Sequence, residues 1–500
     1  MKVHLMAPDE DFEPNRAEPV FADDIAQDLQ LDDVWDAMSG GDRFLRGVAR
    51  AAVLAPVRDP GVIGYRQRAL EDCMRNPDAV QQLYRIAVDA LELRRGIFGL
   101  PLRNHPRTEL SYAVKLLTEL ADQLDRLRAF RATLDDAFSS PAFRGLSATI
   151  ARELDDSYMI DLRHILRDLS FPGGMLMSAG VGPGGQVTGQ VLRRAKSENR
   201  RWFDRTPLKR PLFSFSLPDR DEAGANALAE LEDRSVNEVA NAASQAAEHV
   251  QAFFTSLRAE VGFYLAARNL LTALAEIGAP VSIPDPFTSD ATNADGLYDP
   301  CLALRTKTAP VGNDVHLGRR RLLVITGANR GGKSTLLRAL GTAQLMMQAG
   351  LPTPADRFAA HPVGRVFTHW AREEDTGLVH GKLDEELERM QRIIEVIGPG
   401  DLLLCNESFA STNEAEGSQI LLDVTGALVG SRVQVRAVTH MYDFAHTAEE
   451  DPDLDACFLR APRTAGGERT FRLEPGPPLR TSFGLDLYDK AFGTRYAESG

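Results

Sequence analysis

The chain has 500 residues, 43% of them hydrophobic, and a formal net charge of −14. That length predicts two to four domains. The acidic balance argues against a surface that attracts nucleic acid over its whole area, though not against a local basic groove, and the lack of any run of about 18 apolar residues argues against a membrane span.

Residues 1–23 open with MKVHLMAPDEDFEPN, a polar, proline-bearing stretch expected as a loose tail; it has no apolar core of a secretion signal. Cys73, Cys301, Cys405 and Cys457 are scattered, with no C-x-x-C pair. That fits free buried thiols in a reducing cytoplasm. From Asp24 to about Ser170 the pattern is helix after helix. Leu110, Ala113, Leu117, Leu120, Leu124, Leu127 and Leu134 recur on one face at close to heptad spacing. Residues 171–190 hold Gly173, Gly174, Gly180, Gly182, Gly184, Gly185 and Gly189. A loop or short irregular hairpin is expected there, because no G-K-[ST] and no following apolar helix supports a phosphate site.

Arg193 to Arg210 form a basic strip around Trp202 and Phe203. It reads either as a nucleic-acid contact or as a solvated or intramolecular docking loop. Phe213 and Phe215 alternate as in a strand. No proline then interrupts the chain between Pro218 and Pro280, and Val236, Val239, Ala243, Ala246, Val250, Phe253, Leu257, Val261 and Tyr264 recur every three or four residues. A helix of about 40 residues would span about 60 Å. It is too long to be buried in one compact domain, so a lever or coiled-coil arm is expected, with 110–134 as candidate partner. Pro280, Pro284, Pro286, Asp290, Asn293 and Gly296 are turn chemistry. The expected division is a tail at 1–23, a helical core and lever at 24–280, and a nucleotide-binding domain at 281–500. Leu402 to Cys405, Val433 to Val438 and Ala456 to Leu459 are later strands of that domain. The predicted fold class is therefore multidomain, all-α first and α/β phosphate-loop NTPase second.

Residues 327–334 read GANRGGKS, a complete G-x-x-x-x-G-K-[ST] phosphate loop. Leu322, Leu323, Val324 and Ile325 precede it as a strand, and Leu336, Leu337, Leu340, Ala343 and Met347 follow at helical spacing. A chance glycine-rich turn would lack these flanks. Gly327, Ala328, Asn329, Arg330, Gly331, Gly332, Lys333, Ser334 and Thr335 are the predicted nucleotide-binding residues. Glycines let backbone N–H groups approach a phosphate, and the helix dipole favours its charge. Lys333 is placed to reach the β- and γ-phosphates, and the Ser334 hydroxyl to ligate Mg²⁺.

The run from Leu402 to Cys405 ends in Asn406 and Glu407. Phosphate-loop ATPases usually carry Asp at the first position to hold Mg²⁺. Asn offers a neutral carbonyl oxygen instead, and hard Mg²⁺ prefers charged oxygen. Glu407 is the predicted general base or water-orienting residue. Ala437-Val438-Thr439-His440 is another strand ending in a polar pair, with His440 predicted to sense or contact the γ-phosphate. Between them, Gly381 and Lys382 open a helix with Leu383, Leu387, Met390, Ile394 and Ile397 expected on one face. Its first-turn acids suit the helix dipole. Ser411 to Gly417 form a polar loop leading into a further helix.

From about Asn313 to Tyr488 these motifs, in this order, resemble the MutS family of mismatch-repair ATPases, a branch of the ABC-type ATPases. VGNDVHLG and LLVITGANRGGKSTLLRALG resemble its approach strand and phosphate loop. LLLCNESFASTNEAEG resembles its acidic strand and dimer-contact loop, AVTHM its strand ending in Thr-His, and Thr481-Ser482-Phe483-Gly484 its C-terminal Ser-aromatic-Gly motif. The resemblance implies ATP and Mg²⁺ as ligands and a homodimer with composite ATP sites. In those sites the Ser411 to Glu414 loop and the Gly381-Lys382 helix start would face the partner. It also implies lever arms closing on duplex DNA.

The chain departs from the family pattern in four places. Asn406 replaces Asp. Gly381, with Lys382 beside it, stands where a trans-acting Ser is usual. The chain is short for a mismatch-reading protein. No Phe-x-Glu triplet, the family's mismatch wedge, occurs. The expectation is a cytoplasmic MutS-like ATPase, slow in hydrolysis, that binds branched or structured DNA. The rivals are an ATP-gated clamp on a protein partner and a nucleotide-binding pseudo-ATPase.

Overall fold

The computed structural model describes residues 1–97, 105–172, 174–194, 216–218, 220–286, 291–328, 330–371, 381–462 and 469–478. In chain order the helices are α1 Ala22–Leu29, α2 Asp32–Ser39, α3 Arg43–Leu54, α4 Pro60–Arg75, α5 Pro77–Ile97, α6 Pro106–Ala137, α7 Pro141–Glu153 and α8 Asp156–Leu169. A hairpin of β1 Leu176–Val181 and β2 Val187–Arg193 follows, then α9 Glu222–Glu276. The remainder alternates: β3 Thr292–Leu297, α10 Pro300–Thr306, β4 Asn313–Gly318, β5 Leu322–Gly327, α11 Lys333–Ala349, β6 Arg357–Ala360, β7 Val366–Trp370 and α12 Lys382–Ile394. It closes with β8 Leu402–Asn406, α13 Glu414–Gly430, β9 Gln434–Val438, α14 Tyr442–Glu450, β10 Cys457–Ala461 and β11 Glu474–Pro475.

The chain forms two compact units, one of Met1–His4, Asn76–Ser139 and Phe143–Val261, the other of Leu5–Arg75, Ser140–Ala142 and Gly262–Gly500. The division falls within α9, between Val261 and Gly262. The first unit is helical. α6 buries Leu110, Ala113, Leu117, Leu120, Leu124, Leu127 and Leu134, the stripe read from the sequence. It lies against α5 and α8. Its start is tied to the long helix α9 by polar side chains: Arg107 pairs with Glu232, the Arg107 amide donates to Asp233 (3.0 Å), and Ser244 donates to Glu109 (3.1 Å). At 55 residues, α9 is about 80 Å long. The glycine-rich segment is the antiparallel hairpin β1–β2, with a register shift between Ser178 and Gly180. The Arg193 to Arg210 strip lies outside the described residues from 195 on. Arg193 donates to Ser178 and Arg194 pairs with Asp168, both at 2.8 Å. The Phe213 and Phe215 strand also falls outside them.

The second unit is built on a six-stranded sheet of order β11-β10-β5-β9-β8-β7, parallel except for β11. A three-stranded antiparallel sheet, β4-β3-β6, accompanies it. One core cluster gathers Leu403, Cys405, Val435 and Ala437 with Met390, Leu421 and Phe444 of α12, α13 and α14. α11 packs against β8 and β9 on one side and against α1, α3 and α4 on the other. It is therefore buried nearly all round, including Gln344 and Gln348, which bond to each other and to backbone of residues 57, 361 and 363. Gly341 makes this close packing possible, since a Cβ there would stand 2.5 Å from Leu404 and 3.0 Å from Leu29. This cover is why residues 5–75 belong to the second unit. The expected tail is anchored at its start: Val3, Leu5 and Met6 are buried. Tyr264 donates to the Leu5 carbonyl (2.6 Å) and Arg66 to that of Met6 (2.8 Å).

Candidate active site

Strand β5 sits between β10 and β9, so its C-terminal end opens at the middle of the sheet. The chain must turn sharply there without touching β10. Gly327 has φ 108°, a backbone that L side chains avoid, and a Cβ would lie 2.7 Å from the Ala461 backbone. Gly331 is equally closed in, 2.7 Å from the Ala461 side chain and 2.9 Å from the Ala328 carbonyl. Arg330, at φ 58°, takes the left-handed region without being glycine. Such a residue costs of order 1–3 kcal/mol and is held by its surroundings. Gly332 caps α11 with no side-chain partner. Lys333, Ser334 and Thr335 form the first turn of α11 and line the cleft, and the N–H groups at a helix start favour an anion. Asn329 lies outside the described residues.

Lys333 is 5% exposed. Its Nζ donates to the carbonyls of Gly327 (2.9 Å) and Ala328 (3.3 Å). Burial lowers its pKa from the usual lysine value, and Glu407 opposes the shift. Next along the helix, the Ser334 hydroxyl donates to Asn406 Oδ1 at 2.7 Å. The two residues predicted to hold metal therefore touch, although 72 positions apart.

Asn406 ends β8 and pairs with Val438 of β9, which pairs in turn with Ile325 of β5. The three strand ends converge for this reason. Glu407 follows with φ 53°, and its amide donates to the Val438 carbonyl (2.9 Å). Thr439 donates its amide to the Ile325 carbonyl (3.1 Å), and its hydroxyl accepts from the Met441 amide (3.0 Å). His440 Nδ1 lies 2.5 Å from Glu407 Oε2. That bond raises the imidazole pKa above its ordinary value, with burial opposing. Glu407, Lys333, Ser334 and Thr335 line one cleft of about 480 Å³. Apolar Leu302, Ala303, Pro310, Val311 and Phe471 also line it, among Thr306, Thr308 and Asn313.

Sequence reading missed the supports of this site. Asp299, fully buried, caps α10 and pairs at 2.9 Å with Arg338, one turn beyond Ser334 on α11. His369 of β7 and Glu386 of α12 are buried behind the Glu407 turn. The stripe predicted for α12 needs correction: Leu387 and Ile394 are 38% and 45% exposed, while Glu386, Met390 and Ile393 are buried. The inward face is 383, 386, 390, 393 and 397, one position off at two places, because a carboxylate takes an inward place. A polar residue at an inward register position was the available signal. Ser411 to Glu414 are mostly exposed, with Asn413 capping α13 and Glu414 accepting from the Tyr442 amide (2.9 Å). Gly381 and Lys382 are exposed. The Thr481 to Gly484 motif lies outside the described residues. No helix among the described residues is long and apolar enough to cross a membrane.

A family model for the MutS2 N-terminal domain matches residues 58–277, and one for MutS domain V matches residues 323–492. The chain is thus a helical region followed by a mixed α/β sheet domain consistent with MutS domain V. Among similar proteins, Endonuclease MutS2 of Streptococcus thermophilus is 29% identical over 185 residues, 35% of this chain and 22% of that protein. Endonuclease MutS2 of Streptococcus pneumoniae is 34% identical over 183 residues, 34% of this chain and 22% of that protein. Endonuclease MutS2 of Solidesulfovibrio magneticus is 27% identical over 249 residues, 47% of this chain and 32% of that protein. The aligned stretch spans at most 32% of the length of these three relatives.

Proposed function

The chain belongs to the MutS family, and on that premise we propose that it is an ATPase of ABC type whose nucleotide cycle drives a homodimer to close on DNA. The observation that supports it best is the meeting of Lys333, Ser334–Asn406 and Glu407–His440 around a glycine loop closed by β10. ATP fits the residues present: Gly331, Gly332, Lys333, Ser334 and Thr335 line the cleft at the start of α11, and the absence of a Cβ at Gly327 and Gly331 lets the loop pack closely on β10. The loop amides and Lys333 hold the phosphates, and the apolar wall of α10, Val311 and Phe471 suits a base.

Ser334 and Asn406 would hold Mg²⁺, which supplies charge neutralisation on the β- and γ-phosphate oxygens. One neutral amide oxygen and one hydroxyl make a weak metal site. Glu407 orients the water and accepts its proton. His440 governs that carboxylate: while protonated it holds Glu407 in an ion pair and occupies the oxygen that would face the water. Both features support slow turnover. They also favour a second reading, a nucleotide-binding switch with little hydrolysis whose clamp grips a protein.

The DNA form proposed is branched or otherwise structured, without mismatch reading. Contacts to phosphates carry no sequence information, and no Phe-x-Glu wedge occurs in the sequence. The name of the relatives includes an endonuclease activity, which is theirs. The test is single-turnover ATP hydrolysis beside nucleotide-dependent binding to matched, mismatched and branched duplexes at several salt concentrations. Slow hydrolysis lost in Glu407→Gln, with affinity for branched DNA falling by a log–log salt slope near −0.9 per phosphate contacted, is expected. A mismatch preference of about tenfold would overturn the DNA assignment. Salt-independent binding to a protein, with no DNA bound, would favour the second reading.

A further inference from the structure

The turn that carries Glu407 is strained and is not stabilised by glycine. Glu407 and Phe409 stand at φ 53° and 61°, each of order 1–3 kcal/mol above an ordinary backbone. Something outside the turn must hold it. The Phe409 ring is buried in the sheet core and lies 5.4 Å, centroid to centroid, from the His369 imidazole. Its amide donates to Glu386 Oε2 at 2.5 Å. Glu386 is 7% exposed. His369 completes the brace. The Glu386 carbonyl only accepts, so Nε2 donates to it (3.0 Å). In the neutral ring Nδ1 is left as an acceptor 2.7 Å from the Ser408 hydroxyl, whose one proton also lies within reach of the His369 carbonyl (3.1 Å). Ser408 and Phe409 are thereby tied to β7 and α12.

We propose that Glu386 is a positioning residue for the hydrolytic carboxylate, gripping the Phe409 amide so that the turn aims Glu407 into the phosphate cleft. A carboxylate is chosen over an apolar residue at this inward place of α12 because the left-handed turn points an amide there that β8 and β9 cannot satisfy. Glu386 is one helical turn beyond Lys382. The helix start that faces a partner in the proposed dimer and the turn that carries Glu407 are therefore joined by a single rigid turn of α12. The inference rests on reading Glu407 as the residue that orients water.

The test compares Glu386→Met, which keeps volume and removes the acceptor, with Glu386→Gln, whose amide oxygen can still accept from Phe409. In the full chain, kcat in Glu386→Met is expected to fall by about tenfold or more, since small misplacements of a reacting group are costly. Nucleotide Kd is expected to stay within about twofold, because the phosphate loop is untouched. Glu386→Gln should recover most of kcat. A Glu386→Met enzyme with wild-type kcat, while Glu407→Gln is inactive, overturns the proposal and leaves the Glu407 reading intact. Wild-type turnover in Glu407→Gln overturns that reading instead. If Glu386→Met does not fold, Glu386→Asp, which draws the acceptor back by one methylene, decides: reduced kcat at unchanged Kd supports positioning, and unchanged kcat refutes it.

Discussion

Truncating Lys333 to alanine is the sharpest perturbation of the nucleotide site. The ammonium is already desolvated, at 5% exposure, so its dehydration cost is met on folding rather than on binding. At about 4 Å from a phosphate oxygen, and an effective dielectric of about 20, one charge pair is worth about 4 kcal/mol. Against this, Nζ must give up part of its bonding to the Gly327 and Ala328 carbonyls, 2.9 and 3.3 Å away. Losing one such charge-assisted bond costs about 1.5 kcal/mol. The difference, about 2.5 kcal/mol, corresponds to a loss of about 60-fold in ATP affinity. Calorimetric titration of ATP into Lys333→Ala and the parent, both carrying Glu407→Gln to prevent turnover, measures it. Thermal unfolding of the unliganded proteins checks that the loop survives. Affinity within about threefold of the parent, in a folded variant, would refute the assignment of this lysine and of the loop around it.

The metal assignment predicts that Asn406→Asp, which puts a charged oxygen 2.7 Å from the Ser334 hydroxyl, tightens Mg²⁺ by about tenfold or more; an unchanged Mg²⁺ titration of ATP binding removes Asn406 from the metal site. The His440–Glu407 bond raises the histidine pKa above 6.5. The pair's small, half-exposed contribution to stability is therefore complete below 6.5 and lost as pH rises through the raised value. Hydrolysis should rise over the same window as Glu407 is released, and His440→Gln should flatten that rise; an identical pH profile in the variant contradicts the pairing. ATP should convert Glu407→Gln from monomer to dimer at micromolar concentration, as read by light scattering, with Lys382→Glu weakening the dimer. A protein that stays monomeric at saturating ATP rules out a composite site.

The elements that sequence revealed are those whose signals are local. Strands β5, β8, β9 and β10 are short apolar runs bounded by polar residues, and the proline-free stretch before Pro280 became α9. The phosphate loop was legible because its chemistry needs contiguous residues. Asn406, Glu407 and His440 were legible because each ends a strand that the pattern already marked. The glycine-rich hairpin followed from turn chemistry, though its register shift did not.

Tertiary structure alone decided the rest. Nothing local dictates that β9 lies between β5 and β8, yet that order is what brings Ser334 to Asn406 and Glu407 to His440. The packing of α1, α3 and α4 on α11 draws residues 5–75 into the second unit. Helical periodicity could not foresee it, because a helix covered on both sides loses the contrast between faces that periodicity detects. Glu386 shows the same limit in reverse. Its inward place on α12 is set by an amide 23 residues away, and a buried carboxylate can be understood only when the donor that satisfies it is in place.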